Sequence, residues 1–129
     1  IKPKAASCVD PCAGLTLRAL TADDRANSPL AQQLEACALP SCGLAWHGHA
    51  GLVFGAGGVL KTPWGGGVWG APPDGQAGSR PAIYAEFAGQ QHALRAQLNG
   101  RREVTGLESR RCSDNDAAAI TITAGKVVV

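Results

Sequence analysis

Three histidines, three tryptophans and five cysteines are the residues whose chemistry could matter in this 129-residue chain. His47 and His49 stand two apart, the spacing that puts both imidazoles on one face of a strand. A His-x-His pair is a legitimate signature of first-row metal binding. His92 could reach it from across a sheet, with a cysteine or Asp114 as a fourth ligand. The plainer reading leaves two histidines on a wet face beside Trp46. A small metal-binding protein or metalloenzyme built on His47, His49 and His92 is therefore the alternative reading, not the leading one.

The tryptophans carry the leading one. Trp64 and Trp69 flank Gly65-Gly66-Gly67, a triplet that frees the backbone for positive φ or for tight packing under an indole. Such rings either close the core of a small domain or turn outward over an open glycine floor. The outward arrangement suits sugar faces, peptide prolines or a partner protein. The binding candidates are accordingly Trp46, Trp64, Trp69, Gly65, Gly66 and Gly67.

Other chemistry finds little footing. Serines occur at positions 7, 28, 41, 79, 109 and 113, but none lies in a G-x-S-x-G elbow. Cys42 with His47, or Cys112 with His92, would make a Cys–His pair on paper, yet bridge formation is the better use of either cysteine. Glu86 is the one carboxylate on a regular strand, and paired-carboxylate hydrolysis needs two. Asp114-Asn-Asp116 lacks the full calcium loop, and the glycine runs match neither nucleotide fingerprint. No cofactor is implied.

The five cysteines, Cys8, Cys12, Cys37, Cys42 and Cys112, favour an oxidising compartment, secreted or equivalent. They cannot all pair within one chain. The expectation is that Cys8 and Cys12 tie to Cys37 and Cys42, leaving Cys112 free, although the spacing leaves connectivity open. Net charge is +2, weak attraction for a polyanion. Arg95, Arg101, Arg102, Arg110 and Arg111 form a local basic run, but no aromatic is interleaved with it, so nucleic acid is a poor candidate. No stretch approaches the ~20 apolar residues of a membrane-spanning helix.

These residues must be positioned by a chain with 17 glycines, 8 prolines and 45 % apolar residues, which suits one domain rich in turns. Residues 1–20 read as an irregular lead-in. Residues 21–39 read as a helix, with Thr21/Asp24 at capping-box spacing, a second start at Ser28-Pro29, and the stripe Leu30, Leu34, Cys37. From 43 to 129 period-two arms alternate with glycine turns. Ile83, Ala85, Phe87 and His92, Leu94, Ala96, Leu98 are the cleanest pair, and residues 71–81 form one longer loop.

The fold expected is mainly β: a disulfide-stapled antiparallel meander closed into a small barrel or two-layer roll, with the one short helix as its lid. The turn Val59–Gly70 loosely resembles that of small lipocalin-like and other compact barrel modules, where a tryptophan near a short turn packs across the barrel floor. That resemblance covers this stretch alone and implies no activity. The expected function is a non-enzymatic binding or structural module engaging a partner protein or glycan through an exposed aromatic and glycine-rich surface. The strand ending at Val127-Val128-Val129 offers a route to assembly.

Overall fold

The computed structural model describes residues 11–12, 15, 18–37, 41–71 and 81–129. Eight antiparallel strands follow one another around a closed barrel: β1 (Gly43–Trp46), β2 (His49–Phe54), β3 (Val59–Thr62), β4 (Gly65–Gly70), β5 (Ala82–Phe87), β6 (Gln90–Leu98), β7 (Val104–Arg111) and β8 (Ala117–Ala124). Closure comes from β1 pairing with β8, through Leu44↔Ile122 and Trp46↔Ile120. Every strand thus has two neighbours, which removes the exposed edges that an open meander would carry. Register shifts at Gly43/Leu44, Leu44/Ala45 and Gln97/Leu98 supply the local bends a barrel wall needs.

Alternation decides what lies inside. Leu44, Leu52, Phe54, Leu60, Trp69, Ile83, Ala85, Leu94, Ala96, Leu107 and Ile120 meet in one buried cluster. Cross-strand pairs such as Leu44↔Leu52, Phe54↔Leu60, Ile83↔Leu94 and Leu107↔Ile120 hold them in register. Each large apolar side chain fully buried in this way stabilises the barrel by about 1.5–3 kcal/mol.

The expected single helix is two. Helix α1 (Ala22–Ala26) starts on Thr21, whose Oγ1 accepts from the Asp24 amide, and α2 (Pro29–Ala36) starts on Ser28, whose Oγ accepts from the Ala31 amide. Both start signals are used, and Pro29, which has no amide to continue the first helix, opens the second. Leu30 and Leu34 are buried, and α2 touches both β2 and β5, strands three apart around the barrel. The apolar stripe therefore plugs one end. At the same end Leu20 donates its amide to the Trp69 carbonyl.

Two disulfides correct the expected pairing. Cys37 bonds to Cys42, joining the exit of α2 to the start of β1 across a Cα separation of 4.9 Å. Cys12 bonds to Cys112 at the opposite end of the barrel, so Cys112 is not the free cysteine. The closed barrel explains the difference, because it carries the β7–β8 turn up against the entering chain, where Arg95 also donates to the Pro11 carbonyl. Cys8 lies outside the described residues, as do residues 72–80, most of the expected loop. Two intramolecular disulfides fit an oxidising compartment. Among the described residues no helix is long and apolar enough to cross a membrane.

Beyond β8 the carboxyl-terminal residues pair within the chain at one isolated bridge rather than as a strand. Val127 is buried, its carbonyl accepts from the Val104 amide, and Val128 bridges to Glu103.

Candidate functional site

The barrel ends differ. At one lie α2 and, among the described residues, the connections β2–β3 and β6–β7. The other is formed by four tight hairpins: His47-Gly48, Pro63-Trp64, Ala88-Gly89 and the turn from Cys112 to Asp116. His47, Gly48, Ala88 and Gly89 all have positive φ, the two-residue turn geometry that matches strand twist. His47 and Ala88 adopt it without glycine's freedom, so the closed barrel holds them there.

Between these hairpins lies a cavity of about 310 Å³, at the lower end of the range for small-ligand sites. Its walls are aromatic. Trp64 stacks nearly parallel on Phe87 (centroids 5.8 Å, 13°), and Phe87 stacks on His92 (5.0 Å, 13°). Trp46 meets both Phe87 and His92 edge-on at 4.9 and 5.0 Å, and His49 meets Trp64 edge-on at 5.2 Å. Each such pair adds about 0.5–1.5 kcal/mol beyond its burial, enough to hold the rings in place before anything binds.

Strand parity explains the set. Trp46 and Phe87 are the last inward residues of their strands at this end, and on β6 Gln90, opposite Phe87, and then His92 face the same way. Below them, His92 is 7 % exposed and Ser109 is wholly buried, yet both line the cavity. Neither His92 Nδ1 nor Ser109 Oγ has a hydrogen-bond partner. Burial pushes the His92 pKa below its ordinary value. The Ala85 backbone opposes that shift, the Arg111 charge adds to it, and Asp114 and Asp116 oppose it. Arg111 at the rim is forked onto Asp114 at 2.8 and 2.7 Å and lies 3.8 Å from Asp116. Its guanidinium holds Asp114 down to about 2.

The sequence candidates divide on this geometry. Trp46 and Trp64 both line the cavity, Trp46 buried in its wall and Trp64 49 % exposed at its mouth. Trp69 is not a surface ring. It is wholly buried in the core, edge-on to Phe54, with its Nε1–H donating to the Gly55 carbonyl at 2.8 Å. Trp69 lies five positions after Trp64, so the strand presents Trp69 inward while Trp64 occupies the hairpin. That hairpin turns at Pro63-Trp64, and Gly65, Gly66 and Gly67 are the first residues of β4 rather than the reversal. A Cβ on Gly67 would lie 2.0 Å from the Glu86 carbonyl oxygen, so this glycine allows two strands to approach.

His47, His49 and His92 all line the one cavity. His47 sits in a turn and His49 begins the next strand, so the two do not share a strand face. Among the described residues no group of three or more His, Cys, Asp or Glu is placed to hold a metal ion. Glu86 accepts from the Tyr84 hydroxyl on the outer wall, away from the cavity. Of the five arginines in the basic run, Arg95, Arg102, Arg110 and Arg111 are engaged by carbonyls or carboxylates.

Sequence reasoning passed over Phe87, Ser109 and Arg111 as site residues. The signal for Phe87 was present, since it is the last inward position before the Ala88-Gly89 turn. Ser109 has a weaker one: a lone hydroxyl at an inward position between Leu107 and Arg111. Comparison with protein-family models, with curated proteins and with solved structures finds no match.

Proposed function

We propose that this chain is a binding module that takes a small ring-shaped ligand, foremost the terminal sugar of a glycan, into the open end of its barrel. The observation that carries the reading is the cavity itself, where four hairpins gather Trp46, Trp64, Phe87, His49 and His92 around one mouth. An eight-stranded barrel is just wide enough to hold one small ligand. Plugging the far end with α2 leaves this end as the route in. The half-exposed Trp64 indole, backed by Phe87, offers a flat apolar face of the kind that sugar C–H faces lie against. A secreted or otherwise oxidising setting accompanies this reading, because that is where the two disulfides persist.

Tryptophan emission tests it directly. Titration with a panel of pyranosides and glycan termini should shift Trp64 emission saturably, and Trp64→Ala should remove the response while leaving the fold intact by circular dichroism. A panel that leaves emission unchanged throughout, or a response that persists in Trp64→Ala and Phe87→Ala alike, rejects the assignment of this cavity.

A further inference from the structure

We infer that His92 and Ser109 are the specificity-determining pair of this cavity, and that they select a neutral pyranose by taking one hydroxyl on its edge. The inference rests on the binding role proposed above and adds which atoms read the ligand. Natural interiors seldom leave buried polar atoms unpaired, and here two unpaired ones line the same cavity. His92 pairs across the ladder with Arg111, two residues beyond Ser109, so His92 and Ser109 are diagonal neighbours on the inner wall. Diagonal neighbours stand about 7–8 Å apart, within reach of an aromatic side chain such as that of His92, so a ligand group lying between the two can meet both.

The chemistry of the pair narrows the class. A serine hydroxyl donates and accepts, and a neutral imidazole nitrogen does one or the other according to its tautomer. A ligand hydroxyl also does both, so it can satisfy the two atoms together, whereas a purely apolar ring would leave both unpaired. Charge narrows it further. Among the described residues the arginine at the rim, Arg111, already faces two carboxylates, Asp114 and Asp116, so an anionic ligand meets that cation already opposed. Stacked aromatics on the wall and a hydroxyl-reading pair below them together describe a sugar ring entering edge-first, with one face against Trp64 and Phe87.

The test uses the full chain with its disulfides intact, the pyranosides of the panel, and toluene as a flat ring with no hydrogen-bonding group. The expected result is saturable binding of at least one methyl pyranoside, weakened about 10-fold or more in Ser109→Ala, as removal of a buried hydrogen bond predicts. A monodeoxy version of that pyranoside should lose a similar factor against the wild type and little more against Ser109→Ala. His92→Phe keeps a ring to stack on Phe87 and removes Nδ1, so it should weaken the pyranoside and spare toluene. Pyranoside binding that ignores both substitutions, or a cavity that takes toluene alone, overturns the inference while the cavity keeps its role as a small-ligand site. If neither pyranoside nor toluene perturbs Trp64, that role and the inference fall together.

Discussion

Gly67 is where the roles of the glycine triplet, as binding floor or as architecture, can be separated by a single methyl group. It faces inward on β4, opposite Phe87 on β5. A Cβ there would stand 2.0 Å from the Glu86 carbonyl oxygen and 3.0 Å from the Phe87 Cβ, where ordinary contact begins near 3.4 Å. About 1.4 Å of extra separation must therefore be found between two hydrogen-bonded strands, and the obstructing atom is main chain, which cannot rotate aside. Overpacking of this kind costs about 1–3 kcal/mol, and displacement of a paired ladder places Gly67→Ala at the upper end. Gly66 is the internal control. Its φ is not positive and the nearest atom to an added Cβ is 3.8 Å away, so Gly66→Ala should stay within about 0.5 kcal/mol of wild type. Urea unfolding followed by tryptophan emission gives both values. Near-ultraviolet circular dichroism should change for Gly67→Ala alone, because moving Phe87 disturbs its stacking with Trp64 and His92. A Gly67→Ala protein as stable as Gly66→Ala, with an unchanged aromatic spectrum, refutes the close-approach argument.

The disulfides should differ in worth. Cys12–Cys112 closes a sequence separation of 100 residues and Cys37–Cys42 one of 5, so chain-entropy reasoning assigns them about 4.7 and roughly 2 kcal/mol. Paired alanine substitutions should reproduce that order in denaturant midpoints, and the reverse order would count against it. Stability should also fall as pH drops through the ordinary histidine range. The His92 pKa is lowered in the fold, chiefly by burial, so the unfolded chain binds the proton first and acid favours unfolding. Thermal melts from pH 7.5 to 5 should show a slope that His92→Phe reduces. An identical slope in both proteins would assign the effect elsewhere.

The barrel was legible because its signals are local and repeated. Period-two arms such as Ile83-Ala85-Phe87, broken at Gly55–Gly58 and at Asn99-Gly100, can be read residue by residue, and the closed barrel follows from the need to bury one face and lose two edges. Both helix starts, Thr21 and Ser28, were legible too, although not the break between them. What depended on distance was not legible. Cys12 and Cys112 meet because closure brings the β7–β8 turn beside the entering chain, and no spacing rule expresses that. The fates of Trp64 and Trp69 turned on where a hairpin reverses. Reading the glycine triplet as the turn gave both indoles the same standing, whereas a reversal at Pro63-Trp64 puts one at the mouth and the other in the core. Proline and the residue beside it set that turn, and of the three glycines that follow it is Gly67 that the close approach of β4 to β5 requires.

The site inherits its character from the same parity that makes the core. Along β6 the inward positions run His92, Leu94, Ala96, and along β7 they run Leu107, Ser109, Arg111. Going from the plugged end to the open end, the interior therefore changes from aliphatic to polar without leaving the inner wall. A barrel selected for stability alone would continue Leu and Ile up to its rim, because an unpaired buried hydroxyl or imidazole nitrogen costs about 1–3 kcal/mol. Keeping two such atoms unpaired beneath a ring of stacked aromatics gives up stability at the one place where the barrel is open. Sites where local rules for stability are broken in concert are where function is expected to reside. That conjunction of a plugged end, an aromatic mouth and an unpaired polar pair joins the fold to the proposed role more firmly than any single residue does.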